Sequence, residues 1–154
     1  MPHQHLKLAA SAAALGLLSA CASGIPRHES AQQVRDRYRA YAGEPIDHFN
    51  WLGRYDGWEP VDRYELVLFT GVNDAYLLTV GPPCDNLQFA TRIGVSSTTG
   101  AVYARLDSVT TGHWRCPIQE IRRVDYRRMR ADMRLDAQQA KAAVLPGGAP
   151  APQR

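Results

Sequence analysis

The chain has 154 residues, of which 45% are hydrophobic and 21% charged, and a formal net charge of +3. That is enough for one ordinary domain and too little for two, and too apolar for a disordered chain. It is too weakly basic for charge to point to a nucleic-acid partner, and no apolar run reaches the length of a membrane-spanning helix.

Residues 1–20 read as a signal peptide. Lys7 gives a basic start, Leu8 to Leu18 a short apolar stretch, and Ser19 and Ala20 the small residues that precede a cut. Leu18-Ser19-Ala20-Cys21 resembles the lipobox of bacterial lipoproteins. The resemblance implies that the Cys21 thiol is alkylated with diacylglycerol, that cleavage makes Cys21 the first mature residue, and that its new amino group is acylated. Several acyl chains, at about 0.8 kcal/mol per buried CH₂, are more than stable anchoring requires. Ala22 and Ser23 follow the cysteine, without the Asp that retains lipoproteins in the inner membrane of enteric bacteria, so the resemblance implies an outer-membrane anchor with the domain facing the periplasm. Residues 21–29 are then a lipidated tether, broken by Gly24 and Pro26.

With Cys21 assigned, Cys84 and Cys116 remain in an oxidising compartment and are expected to pair, with a loop-closure contribution of about 3–4 kcal/mol. A zinc site and a catalytic thiol are the alternatives. His113 lies three residues before Cys116, but two such ligands fall short of the set a metal needs.

Ser30 with Gln33 makes a capping-box pattern, and Val34, Tyr38 and Tyr41 fall on one helical stripe that Gly43 and Pro45 should end. Arg35, Arg37 and Arg39 read as the solvated face of that helix. Phe49, Trp51, Tyr55 and Trp58 read as one wall of a core, with a turn over Gly53, Asp56 and Gly57. Leu66 to Phe69 has the continuous apolarity of an interior strand, and Ala75 to Gly81 is its hairpin partner. Asp85 is placed to cap a single helical turn that points Leu87 and Ala90 inward. Ile93 to Thr98 extends again, and Val102, Ala104 and Leu106 should line one face of a further strand. A loop at "GHWR" leads to a last strand from Cys116, where Ile118, Ile121 and Val124 recur at three rather than two. Asp125 can cap a helix carrying Tyr126, Met129 and Met133, running to about Ala143, and residues 144–154 form a Pro/Gly tail expected to be disordered.

No motif compels a reaction: nucleophile elbows, P-loops, HExxH and GxGxxG are all absent from the sequence. No catalytic residue, cofactor or metal is therefore expected. Asp47 and His48 are neighbours that a strand would point to opposite faces. Glu59, Asp62 and Glu65 flank a strand and read as surface carboxylates. From residue 122 onward eight basic residues face three acidic ones, and Arg127, Arg128, Arg130 and Arg134 are the candidates for contact with an anionic lipid or cell-wall polymer.

The order "YELVLF", "AYLLTV", "CDNL", "IGV", "LDSV", "CPIQEI" over about residues 44–125 resembles a family of small proteobacterial lipoproteins known only as a domain of unknown function. Cys84, Leu87, Asp107, Cys116, Ile118 and Ile121 fit its pattern. The resemblance implies no activity, cofactor or catalytic residue. The expected fold over residues 30–143 is one α+β domain: a mainly antiparallel sheet of about five strands, flanked by an N-terminal and a C-terminal helix and stapled by one disulfide. The expected role is a binding or structural module of the envelope, attached to the membrane through its lipid, with a cell-wall hydrolase and a hydrophobic-ligand or lipid carrier as alternatives. The protein partner and the oligomeric state are open.

Overall fold

The computed structural model describes residues 29–144. The leader over 1–20, Cys21, the tether through residue 28 and the Pro/Gly tail from residue 145 lie outside them.

Helix α1 (Ala31–Ala40) starts at the expected capping box: the Ser30 hydroxyl accepts from the Gln33 amide, and the Gln33 side chain accepts from the Ser30 amide. There follow β1 (Ala42–Ile46), β2 (His48–Asn50), β3 (Gly57–Asp62), β4 (Glu65–Phe69) and β5 (Ala75–Val80), then a 3₁₀ turn (Leu87–Phe89). The chain continues through β6 (Gly94–Val95), β7 (Ala101–Tyr103), β8 (Ser108–Thr111), β9 (Trp114–Val124) and α2 (Tyr126–Val144). Asp125 caps α2 by accepting from the Arg128 amide at 3.1 Å. No helix among the described residues is long and apolar enough to cross a membrane.

The fold is α+β and the sheet is antiparallel, as expected. It has seven strands rather than about five, in the order β3-β4-β5-β9-β8-β6 with β1 also on β9, while β2 and β7 pair separately. The two strands of the large sheet missed by the sequence reading each carry a proline. Pro60 sits in β3, an edge strand where its absent N–H goes unused, and Pro45 sits at a register shift in β1. Gly43 and Pro45 thus lie in a strand instead of the expected helix-ending loop.

β9 organises the sheet. Its first part pairs with β8, and its second part pairs with β5 on one edge and β1 on the other. Between Ile118, opposite Val80, and Glu120, opposite Thr79, the register slips by one residue. This bulge returns Ile118 and Ile121 to the same face, where both are fully buried, and leaves Val124 on the opposite face. The recurrence at three is a strand with a bulge, not a helical period.

Each face of the sheet carries its own core. One packs Leu66, Leu68, Leu78, Val80, Ile118 and Ile121 with Phe49, Trp51, Leu87 and the two cysteines. Phe49 stacks on Tyr76 with ring centroids 4.1 Å apart, so the aromatic cluster is a core wall, as read from the sequence. The other face packs Val61, Val67, Ala75, Leu77 and Val124 beneath Tyr38 of α1 and Met129 of α2.

Three further local readings are corrected. The 3₁₀ turn starts at Asn86 with no side-chain cap; Asp85 instead accepts from Arg63 at 2.8 Å. The strand expected through Val102, Ala104 and Leu106 is broken: Arg105 has a left-handed φ of 66°, β7 and β8 go to different sheets, and Leu106 is exposed. At "GHWR" only Gly112 and His113 turn. Gly112 has φ 56°, as the first central residue of a two-residue hairpin loop requires, and Trp114 already pairs with Thr111.

Cys84 and Cys116 form the disulfide, with Cα atoms 5.5 Å apart and both residues fully buried. It fastens the loop after β5 to the first part of β9, where β9 pairs with β8. Replacing both cysteines by Ser is expected to lower the unfolding free energy by about 3–4 kcal/mol in urea denaturation, and an unchanged midpoint would refute a structural role for the bond.

Candidate functional site

The three arginines of α1 do not form a free solvated face, and the three carboxylates near β3 and β4 are not free surface groups. They meet. Arg35 donates to Asp62 at 2.5 Å, the Tyr38 hydroxyl to Glu59 at 2.6 Å, and Arg39 to Glu65 at 2.6 Å. Helical spacing of four and three puts residues 35, 38 and 39 on one side of α1, and the β3–β4 hairpin presents the matching acids. Arg37 points elsewhere and pairs with Glu29. Burial and the Glu59 carboxylate push the Tyr38 hydroxyl well above the usual phenol range. The Arg63 amide and then the Arg35 guanidinium hold Asp62 below the usual carboxylate value.

Two of these acids, Asp62 and Glu65, belong to a longer row. Strand register aligns Asp62 with Glu65, Glu65 with Thr79, and Thr79 with Glu120, across four adjacent strands. Alternation keeps these side chains on the helix-covered face, beside the apolar row that ends at Leu77. Arg122, two residues beyond Glu120, donates from Nε to Glu120 at 2.6 Å and from Nη1 to the Gly43 carbonyl at 3.0 Å. The result is a polar pocket of about 280 Å³ lined by Arg39, Ala42, Glu65, Leu77, Thr79, Glu120 and Arg122. Glu65 is 7% exposed, and its Oε2 is the one buried carboxylate oxygen among the described residues without a hydrogen-bond partner. Leaving such an oxygen unpaired costs about 1–3 kcal/mol.

The other candidate residues lie apart from this pocket. Asp47 and His48 are exposed at the start of β2, where the His48 ring stacks on Tyr103 at 4.9 Å. Asp107 is buried and accepts from the Ser96 hydroxyl at 2.8 Å, the Thr98 hydroxyl at 3.3 Å and the Tyr103 amide at 2.9 Å. That network closes the turn between β7 and β8. Asp47, His48, Glu59, Asp62 and Asp107 therefore do not assemble into one pocket. No group of three or more His, Cys, Asp or Glu side chains suited to a metal ion is present among the described residues.

The four arginines proposed for an anionic surface divide. Arg127 and Arg128 line an open groove of about 560 Å³ with Arg123, Asp74 and Asp125, where Arg123 pairs with Asp74 at 2.7 Å. Arg128 also turns toward Asp132 at 3.7 Å. Arg130 lies over the Tyr126 ring, and Arg134 sits on the outer half of α2, where the residues from Met133 to Ala143 are all exposed.

A family of unknown function, DUF6491, matches residues 4–142. The chain belongs to this family. Neither a curated protein nor a solved structure matches the chain. The DUF6491 match is wider than the resemblance read from strand motifs, which stopped near residue 125 and left α2 outside. It takes in all but the last two residues of α2 and the stretch from Leu18 to Cys21. In this DUF6491 chain, Asp107, Leu87 and both cysteines all have structural places, in a turn, a core and a staple.

The ion pairs of α1 set a pH window. Asp62 has a lowered folded-state pKa, so its contribution to stability is present above the ordinary value near 4 and is lost as pH falls through the folded one. Tyr38 has a raised one, so its contribution is present below about pH 10 and is lost as pH rises further. In chemical denaturation across pH, Asp62→Asn should flatten the acid limb and Tyr38→Phe the alkaline limb. Limbs of unchanged steepness in both variants would show that these contacts carry no stability.

Proposed function

We propose that the chain is a lipid-anchored outer-membrane protein whose domain faces the periplasm and serves as a binding module. The buried Cys84–Cys116 disulfide carries this reading. Such a bond persists in an oxidising compartment, and it leaves Cys21, at the end of the Leu18-Ser19-Ala20-Cys21 sequence, as the one remaining thiol. The tether between Cys21 and Ser30 spans at most roughly 30 Å when extended, which keeps the domain close to the membrane.

Binding is favoured over the two alternatives by what the described cavities contain. The smaller pocket is lined mostly by charged side chains, the groove mixes five charged residues with small and apolar ones, and the apolar residues of the sheet pack into two cores, which favours a polar ligand over an apolar one. A hydrolase would use two carboxylates in one pocket. Glu65 and Glu120 share one, but each is engaged by an arginine, Arg39 and Arg122. The arginines lining the groove at the start of α2, continued by Arg130 and Arg134 along the helix, suit anionic head groups or cell-wall polymer near the anchor.

Two experiments test these points. Radiolabelled palmitate should enter the wild-type protein and not Cys21→Ala; equal labelling rejects the anchor. Replacing Arg127, Arg128, Arg130 and Arg134 together by Gln should abolish sedimentation with phosphatidylglycerol vesicles at low salt, where exposed charges act over the longest range. Undiminished co-sedimentation removes the membrane-contact role from α2.

A further inference from the structure

We propose that the Glu65 pocket binds a free α-amino acid, with the ligand ammonium on Glu65 and Thr79 and the ligand carboxylate on Arg122. The inference rests on the reading of the domain as a binding module and names the ligand class of its pocket.

The first observation is the unpaired Oε2 of Glu65, a carboxylate oxygen sealed from bulk water in a residue that lines the pocket. Arg39 occupies only Oε1. Arg39 is also the movable part of the wall, since its side chain is 53% exposed while that of Glu65 is 9% exposed. A shift of the guanidinium admits a donor to Oε2 without moving the sheet. A primary ammonium brings three donors. Glu65 Oε2 and the Thr79 hydroxyl, on the adjacent strand in direct register, supply acceptors for it.

The second observation is the charge balance. Arg39 and Arg122 face Glu65 and Glu120, so the pocket carries both signs and no net charge. A bare anion meets two carboxylates and a bare cation meets two guanidinium groups. A ligand with one charge of each sign gains from both. Arg122 spends Nε on Glu120 and Nη1 on Gly43, which leaves Nη2 for a ligand carboxylate. Glu65 and Arg122 stand two strands apart and two residues out of register, roughly 12 Å between backbones. Both residues line the same pocket, so a single small ligand in it can face both charges. A volume of about 280 Å³ suits a ligand of that size, and no aromatic ring lines the pocket to stack on a sugar.

The test is a chemical-shift titration of the full mature chain with L-alanine, N-acetyl-L-alanine, which lacks the ammonium, and L-alaninamide, which lacks the carboxylate. L-Alanine should shift the amide signals of Glu65, Thr79 and Arg122, and each blocked compound should bind about tenfold or more weaker, the loss expected for one charge-assisted hydrogen bond. Glu65→Gln and Arg122→Gln should show the same loss for L-alanine. Thr79→Val leaves every ion pair in place, and it keeps the test decisive if either charge variant fails to fold. Absence of shifts with L-alanine, equal binding of the three compounds, or wild-type affinity in Thr79→Val overturns the inference. Shifts confined to residues outside the pocket would overturn this site and leave the binding module standing, whereas failure of the palmitate experiment would strike the anchor and leave the pocket unaffected.

Discussion

Among the described residues β9 is the only strand that changes partners along its length, and the domain is arranged around that constraint. Eleven residues long, it must satisfy β8 at its start and both β5 and β1 at its end. A regular strand would hold one facing pattern throughout. The bulge between Ile118 and Glu120 resets it, so Cys116, Ile118 and Ile121 enter one core while Glu120, Arg122 and Val124 face the helices. The disulfide then locks Cys116, on that strand, to the loop that leaves β5. A slip of β9 by one residue would turn the cysteine, the isoleucines and the pocket arginine to their wrong faces together.

The helix face combines two kinds of contact. Apolar packing around Tyr38, Val67, Leu77 and Met129 holds the helices near the sheet, and the pairs from Arg35, Tyr38 and Arg39 to Asp62, Glu59 and Glu65 fix where α1 lies. Ion pairs as exposed as Arg35 with Asp62 add little stability by themselves. Three pairs in matched spacing set orientation. Glu65 is the exception among the acids: it is too buried to be solvated and only half satisfied by Arg39, and a fully paired packing contact would not leave that oxygen over. At the other end, Tyr41 donates to Asp132 at 2.8 Å and joins the end of α1 to the first turns of α2, beyond which α2 leaves the domain surface.

The signals that could be read before folding are those whose partners lie within a few residues. Ser30 with Gln33 and Asp125 with the Arg128 amide act inside one helical turn, and the continuous apolarity of Leu66 to Phe69 and Ala75 to Val80 marks a strand whatever it pairs with. The failures have equally physical causes. β1 and β3 were hidden because a proline normally argues against a strand, and here each proline falls at an edge or a bulge. The strand expected through Val102, Ala104 and Leu106 alternates correctly in composition, but a buried carboxylate three residues beyond Ala104 bends the backbone there.

From the sequence alone came an α+β domain with a helix at each end, a core wall around Phe49 and Trp51, and the pairing of Cys84 with Cys116, because composition, local capping, strand hydrophobicity and cysteine count act without reference to distant residues. Only the tertiary structure decided that Asp62, Glu65, Thr79 and Glu120 share one row and that Arg39 and Arg122 close a pocket over it. Those residues are spread over 84 positions of the chain, from Arg39 to Arg122. What brings them together is the register of four antiparallel strands and one bulge, and register is settled by the fit of whole faces in two cores, not by any short stretch of sequence.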